Sequence, residues 1–446
     1  MLRWLLLIAS TLLVLVYAIN RDIRFERAYT GDLRNRVTGS RMVKDGRSPY
    51  FYKWKTGDGL RYYDPGNFDS LRPSNMTSTP FLYRLLSPIA ELPESKISVY
   101  WLAIEYLMLA GITLFAFFRA GTTLQKQAVL LVFLLVLLTN GWKEHIANGQ
   151  TYLLVPLFAM LFLAFGEIKG NHALAILAGA AAACMILIRF NTILFFIPFL
   201  FMIPGNTRPW LAWFSIPMLL FACWTLSSPH ERSIWQDYFN NVKEATKINQ
   251  KLHFVVVRNT PDPLYPSWEG IDTAEAFRYA KAAPAKIYSE NGNFFVLFTR
   301  IFHRELSVTA LGLVSLLLIV TLVLLFYFRC CPLGIQDMPK AAIFGFCLFM
   351  TADLFSPIYR HQYYTVQWIL PLMLAASVFS LRQKGWYALL LAALLLNCIH
   401  LPFIKMGNTI GEYLFLFVLL ALVLTYGWPG APRAASGRPL DGQTAV

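Results

Sequence analysis

The chain has 446 residues, 57% hydrophobic and 15% aromatic, with a mean hydropathy of +0.49, and its apolar residues fall in runs long enough to cross a bilayer as helices. This composition excludes an ordinary soluble domain. The net charge of +14 is spread over many stretches without an unbroken run of Lys and Arg, so it points to lipid head groups and topology setting rather than to nucleic acid.

Leu2 to Ile19 is apolar after a single Arg3, and no small-x-small cleavage pattern precedes Asn20, so an uncleaved first membrane helix over 1–20 is expected in preference to a signal peptide. Residues 21–96 then read as a long extracytoplasmic loop rich in charge and aromatics. Apolar segments follow at about 97–118, 127–139, 151–165, 172–188, 193–203 and 209–226, giving membrane helices two to seven within 97–226. A second polar stretch covers 227–303. Five more apolar segments, 305–328, 341–350, 364–381, 386–399 and 411–426, fill the region 304–428, and 429–446 is a Pro, Gly and Ala tail on the cytoplasmic side.

The fold expected is all-α and integral to the membrane, with about twelve transmembrane helices and two long extracytoplasmic loops. With the first helix entering from the cytoplasm, Arg119, Lys126, Lys169, Arg208, Arg329, Lys340, Arg382, Lys384, Arg433 and Arg438 fall inside. Only Lys143, Arg189, Arg360 and Lys405 fall in short outer connections, an asymmetry that puts both long loops outside. No internal repeat is evident, which disfavours transporter folds built from duplicated halves.

All six cysteines lie in or at the ends of apolar segments, and the adjacent Cys330 and Cys331 have no second pair nearby, so neither a disulfide framework nor a zinc spacing arises. Metal dependence stays open. Asp32, Asp64 and the pair Glu144-His145 offer oxygen and nitrogen ligands for a divalent ion, at a spacing that fixes no geometry.

Sorted by side, the polar residues near helix ends are richest on the outer face: Asp32, Lys143-Glu144-His145, Asn148-Gly149-Gln150, Arg189 with Asn191, Asp353, and Arg360-His361-Gln362. An Arg at the end of an apolar run, as in Ile188-Arg189-Phe190, costs up to about 3 kcal/mol at the bilayer centre and so calls for a partner or for snorkelling to the interface. Asn148 reads as a cap of the helix beginning nearby, and Glu105 as an interhelical hydrogen-bond partner about 12 Å into its helix. Asp64 in Tyr63-Asp64-Pro65 reads as a turn residue. The aromatics of the second polar stretch, Trp235 and Tyr238 among them, read as anchoring and loop packing.

Asp32 is the candidate base. Arg34 and Arg36 follow it, and a carboxylate beside cations supplies what transfer from a phosphate-linked donor requires: a base for the acceptor hydroxyl and positive charge for the departing phosphate.

Several segments in order resemble a family of membrane glycosyltransferases with the GT-C fold, the family 87 type (DUF2029). They are Asp32, Asp45-Gly46-Arg47-Ser48-Pro49-Tyr50, Thr79-Pro80-Phe81-Leu82-Tyr83, Asn148-Gly149-Gln150, Ile188-Arg189-Phe190-Asn191, and Ser356-Pro357-Ile358-Tyr359-Arg360-His361-Gln362-Tyr363. Where the family pattern has Lys followed by Pro, this chain has Arg189-Phe190, which keeps the positive charge. The family includes polyprenyl-phosphate-mannose-dependent mannosyltransferases.

The resemblance implies Asp32 as catalytic base, with Arg189, Arg360 and His361 near the donor phosphate and Gln150, Asn191 and Tyr50 binding substrate. It implies an inverting transfer of a hexose, mannose first, from a polyprenyl-phosphate-linked sugar donor to a lipid or glycan acceptor at the outer face of the inner membrane. A transporter or lipid-linked glycan flippase is the alternative, and it predicts polar residues recurring at mid-depth along several helices. A glycan polymerase or ligase and a scaffold without catalysis are further rivals.

Overall fold

A computed structural model describes residues 2–28, 31–52, 61–62, 76–168, 171–202, 204–258, 292–302, 304, 306–357, 360–380, 384–399 and 407–425. The described residues are nearly all helical and contain no named strand, consistent with the all-α membrane protein expected. In chain order the helices are α1 (Leu2–Ala28), α2 (Gly31–Lys44), α3 (Pro80–Ala90), α4 (Glu94–Arg119), α5 (Thr123–Leu138), α6 (Asn140–Ala147), α7 (Leu154–Gly166) and α8 (His172–Ile188). A 3-10 segment, Phe190–Phe201, leads to α9 (Pro204–Ser227) and α10 (Pro229–Arg258). Then come α11 (Phe294–Phe302), α12 (Val308–Cys330), α13 (Met338–Leu354), a 3-10 segment Gln362–Trp368, α14 (Ile369–Val378), α15 (Lys384–Cys398) and α16 (Gly407–Thr425).

Local chemistry sets many of these boundaries. The Thr79 hydroxyl accepts from Leu82 N at 3.3 Å with Pro80 at the first helical position, and Thr122 and Gln125 cap α5 reciprocally. Asn171 and Ser307 cap α8 and α12 in the same way. Thr139 ends α5 and caps α6, where the axis turns by 57°.

Four helices among the described residues are long and apolar enough to span a membrane: Trp4–Arg24, Lys96–Arg119, Val308–Cys330 and Gly407–Thr425; the bent pair α5 and α6 makes up to five. That is fewer than the about twelve crossings read from hydropathy. The difference lies in short and broken apolar segments. α8 stops after 17 residues at Arg189, and the apolar run beyond it winds as a 12-residue 3-10 helix. α13 is buried along almost its whole length, so its apolarity serves protein packing and not lipid contact.

α13 is the centre of the main core. Gly345 lets it reach the 3-10 backbone, since a Cβ there would lie 2.2 Å from the Phe195 carbonyl oxygen. Phe162 meets Phe195, Phe196 and Phe199 edge-on at 5.0–6.1 Å. In contrast, the long apolar side chains Leu316, Leu317 and Phe328 of α12 stay exposed, as a lipid-facing helix requires.

The polar stretches 21–96 and 227–303 contain helices. α1 continues to Ala28, α2 and α3 lie in the first stretch, and α10 opens the second. Ser40 and Arg41 tie α2 to the α3 end through the carbonyls of Tyr83 and Ala90, each at 2.6 Å. Arg61 bridges Asp45 and Glu91, with nitrogen–oxygen distances of 2.7 and 2.9 Å, and holds both carboxyls down at about 2. A second core, including Tyr50, Met76, Tyr83, Trp235 and Tyr238, joins this region to α10, which accords with the packing role read for Trp235 and Tyr238. Tyr265, Trp268, Phe277, Tyr279 and Tyr288 lie outside the described residues, as does Asp64.

Candidate active site

Asp32 sits in the first turn of α2, where the helix N-terminus favours a negative charge. One of its oxygens accepts from Gln150 Nε2, and the other end of that amide, Oε1, accepts from Arg36 Nη2 at 2.6 Å. Asp32 and Arg36 are one helical turn apart, so a single buried glutamine bridges both. Arg36 also donates to the Gly149 carbonyl at 3.3 Å.

The turn after α6 builds the receiving surface. Gly149 has φ +59°, and a Cβ on it would fall 2.4 Å from Leu33 Cβ, so glycine meets both the left-handed backbone and the close approach of α2. Leu33 N donates to the Asn148 carbonyl at 3.2 Å and Gln150 N to the His145 carbonyl at 3.0 Å. Asn148 caps the C-terminus of α6, with its side chain donating to the Glu144 carbonyl at 2.9 Å. The expectation that it opens the following helix is therefore corrected: α7 begins at Leu154. Glu105 is an interhelical partner, paired with His145 at 3.0 Å beneath this turn.

Two residues beyond Gln150, Tyr152 carries the site onward. Its ring lies 4.3 Å from that of Tyr364 and 5.5 Å from that of Tyr363, and His361 stacks on Tyr363 at 4.7 Å. The Arg189 guanidinium lies 5.2 Å from the Tyr152 centroid and 4.9 Å from that of Tyr364, within cation–π range. Arg189 therefore has the partner expected of an Arg at the end of an apolar run, and more. It donates to Asp353, and its Nε donates to Asn191 Oδ1 at 3.2 Å.

Arg360, 1% exposed, lies 3.2 Å from Asp353 through its Nε and 2.9 Å from Glu412 through Nη1; Thr365 donates to Glu412. Arg360, His361, Thr365 and Glu412 help line a small cavity beside this ion cluster.

Asp32 meets Gln150, the backbone leads from Gln150 to Tyr152, and the contacts of Tyr152 and Arg189 extend to Asn191, Arg360 and His361. Tyr50 stands apart. Its hydroxyl donates to the Ser78 carbonyl at 2.8 Å, and its ring meets Tyr83 and Tyr238 in the second core, with Tyr238 and Phe190 between it and the site.

Tyr152, Tyr364 and Glu412 of the site, and Asp22 of α1, are absent from the sequence candidates. Tyr152 gives no signal beyond an aromatic near Gln150. Glu412 does: an acid in the first turns of an apolar segment is costly without a partner. Asp22 gives the same signal just past the first apolar run, and it accepts from Tyr106, Trp142 and Arg21 at 2.7–2.9 Å, fixing α1 against α4 and α6. Among the described residues, no group of three or more His, Cys, Asp or Glu is arranged to hold a metal ion.

Residues 77–270 match glycosyltransferase family 87. The match bears out the family 87 resemblance and indicates a glycosyltransferase, which requires a sugar donor and an acceptor. No curated protein matches the chain. The family 87 region includes Gln150, Arg189 and Asn191; Asp32, Tyr50, Arg360 and His361 lie outside it and reach it through the contacts described above, Tyr50 by way of Ser78, Tyr83 and Tyr238.

Proposed function

We propose that this glycosyltransferase moves a hexose, mannose first, from a polyprenyl-phosphate carrier to a lipid or glycan acceptor at the outer face of the membrane. The observation that carries the reading is the link from a carboxylate to a cation cluster. Asp32 is held by Gln150 at one end, and Arg189 lies at the other, with Tyr152 and Tyr364 between them.

In the proposed reaction the acceptor hydroxyl gives its proton to Asp32 as its oxygen bonds to the anomeric carbon. The bond from that carbon to the phosphate oxygen breaks, and its electron pair leaves with the carrier phosphate. Arg189 meets the charge that develops on that phosphate, with His361 and Arg360 behind it. Arg36 keeps a positive charge near Asp32, through the Gln150 amide that both share. The clustered rings of Tyr152, Tyr363 and Tyr364 supply an aromatic wall against which a sugar ring can lie. The charge asymmetry read from the sequence supports an extracytoplasmic position for this assembly.

The test is donor use by membranes containing the full chain, with host lipid extract as acceptor. Polyprenyl-phosphate-linked mannose or glucose is expected to donate and nucleotide-linked sugars are not. Transfer from nucleotide sugars alone would overturn the carrier assignment.

A further inference from the structure

Arg189 is held along one edge only. Nη2 donates to Asp353 and Nε to Asn191, whereas Nη1 is buried and has no partner among the described residues. The rings of Tyr152, Tyr364 and Phe349 wall the guanidinium at 4.9–5.3 Å, so the unpartnered edge is a desolvated donor pair with a fixed orientation. Asp353 is 7% exposed and faces Arg189 and Arg360 at once, and Arg360 also faces Glu412. Two guanidinium groups against two carboxylates leave this cluster without net charge. A cluster built only to attract phosphate has no use for that neutralisation.

The need for it arises after transfer. A carrier phosphodiester donor bears one negative charge, whereas the phosphomonoester released bears about 1.5 to 2 at neutral pH. A desolvated guanidinium therefore holds the spent carrier more tightly than the donor.

Resting on the carrier-phosphate reading, we propose that Asp353 is a positioning counter-ion that sets how tightly Arg189 holds phosphate. It orients the guanidinium before the donor arrives, leaves the Nη1 edge for the phosphate, and opposes the extra charge of the product so that the spent carrier departs. Asp353 acts through Arg189 and touches no reacting atom.

The experiment uses full-length protein in lipid nanodiscs with a short-chain polyprenyl phosphate as the probe. Asp353→Asn is expected to bind the probe about tenfold more tightly than wild type, as loss of one close opposing charge implies. Its KM for the carrier donor should fall, and its kcat should fall as well because release slows. Adding Arg189→Gln should erase the gain, and Asp353→Glu should bind as wild type does. A purely structural role for Asp353 would weaken binding in Asp353→Asn.

Unchanged or weaker binding by Asp353→Asn, with wild type binding the probe and transferring from the carrier donor, would overturn this inference alone. Failure of wild type and Asp353→Asn alike to bind the probe would overturn the carrier reading with it. If Asp353→Asn does not fold, difference infrared spectroscopy of the unmodified protein decides the matter. Addition of the probe should shift an arginine-paired carboxylate band, and no shift would overturn the inference.

Discussion

Asp32→Asn is expected to lower kcat for transfer by about 10²–10⁴-fold, the usual contribution of a positioned general base. The substitution isolates the chemistry. An Asn side-chain oxygen still accepts from Gln150 Nε2, so the contact that seats the α2 start survives, as does the Leu33 to Asn148 backbone bond. What disappears is the capacity to take the acceptor proton. Donor KM should move far less than kcat, because the contacts around Arg189 are made by other residues. Steady-state kinetics with carrier-linked donor, alongside size-exclusion behaviour that matches wild type, checks this. Full activity in the variant would remove Asp32 as the base while leaving the family assignment intact.

Arg189→Gln is the second large effect, about 10²–10³-fold in kcat/KM, comparable to the loss of a single charge-stabilising donor at a transition state. Part of the loss is structural, since among the described residues Asp353 would keep Asn191 and Arg360 as side-chain polar neighbours and lose its close cation. Arg189→Lys separates the two contributions. It retains the charge but lacks the planar fork that meets Asp353, Asn191 and an anion together, so it should recover part of the activity and not all of it. The measurement is kcat/KM for the three forms at one ionic strength. Equal activity in all three would remove Arg189 from the donor-phosphate role.

Charged residues at the ends of apolar runs made much of the site legible. Arg189, Asp353, Arg360 and Asp32 stand out in sequence because an ion near hydrocarbon needs a reason, and the structure gives each a partner. The ring system was not legible: Tyr152, Tyr363 and Tyr364 become neighbours through the turn at Gly149 and the 3-10 segment at Gln362–Trp368, and spacing along the chain announces neither pairing. Tyr50 illustrates the converse. Its motif position suggested substrate contact, while the fold surrounds it with Tyr83 and Tyr238 and uses its hydroxyl on a backbone carbonyl.

For the fold, hydropathy identified the apolar segments, while four helices among the described residues, or up to five spans with the bent pair, are long and apolar enough to cross a membrane. A run such as Ala341–Met350 is apolar because α13 is enclosed by protein on all sides, and the pattern of a fully buried helix does not differ from that of a lipid-facing one. The helices inside the polar stretches were missed for the opposite reason. α2 has the sequence of a solvated segment, and it is held by specific bonds from Leu33, Arg36, Ser40 and Arg41 to backbone carbonyls together with the scattered buried residues Leu33, Val37, Met42 and Val43.

The most direct test of the account is the anomeric configuration of the product, read by NMR from the carbon–proton coupling at the anomeric position, with a carrier-linked sugar of known configuration as donor. A single base at Asp32 and direct displacement predict inversion. A product with the donor's own configuration would contradict direct displacement and, with it, the assignment of Asp32 as the base of a one-step transfer.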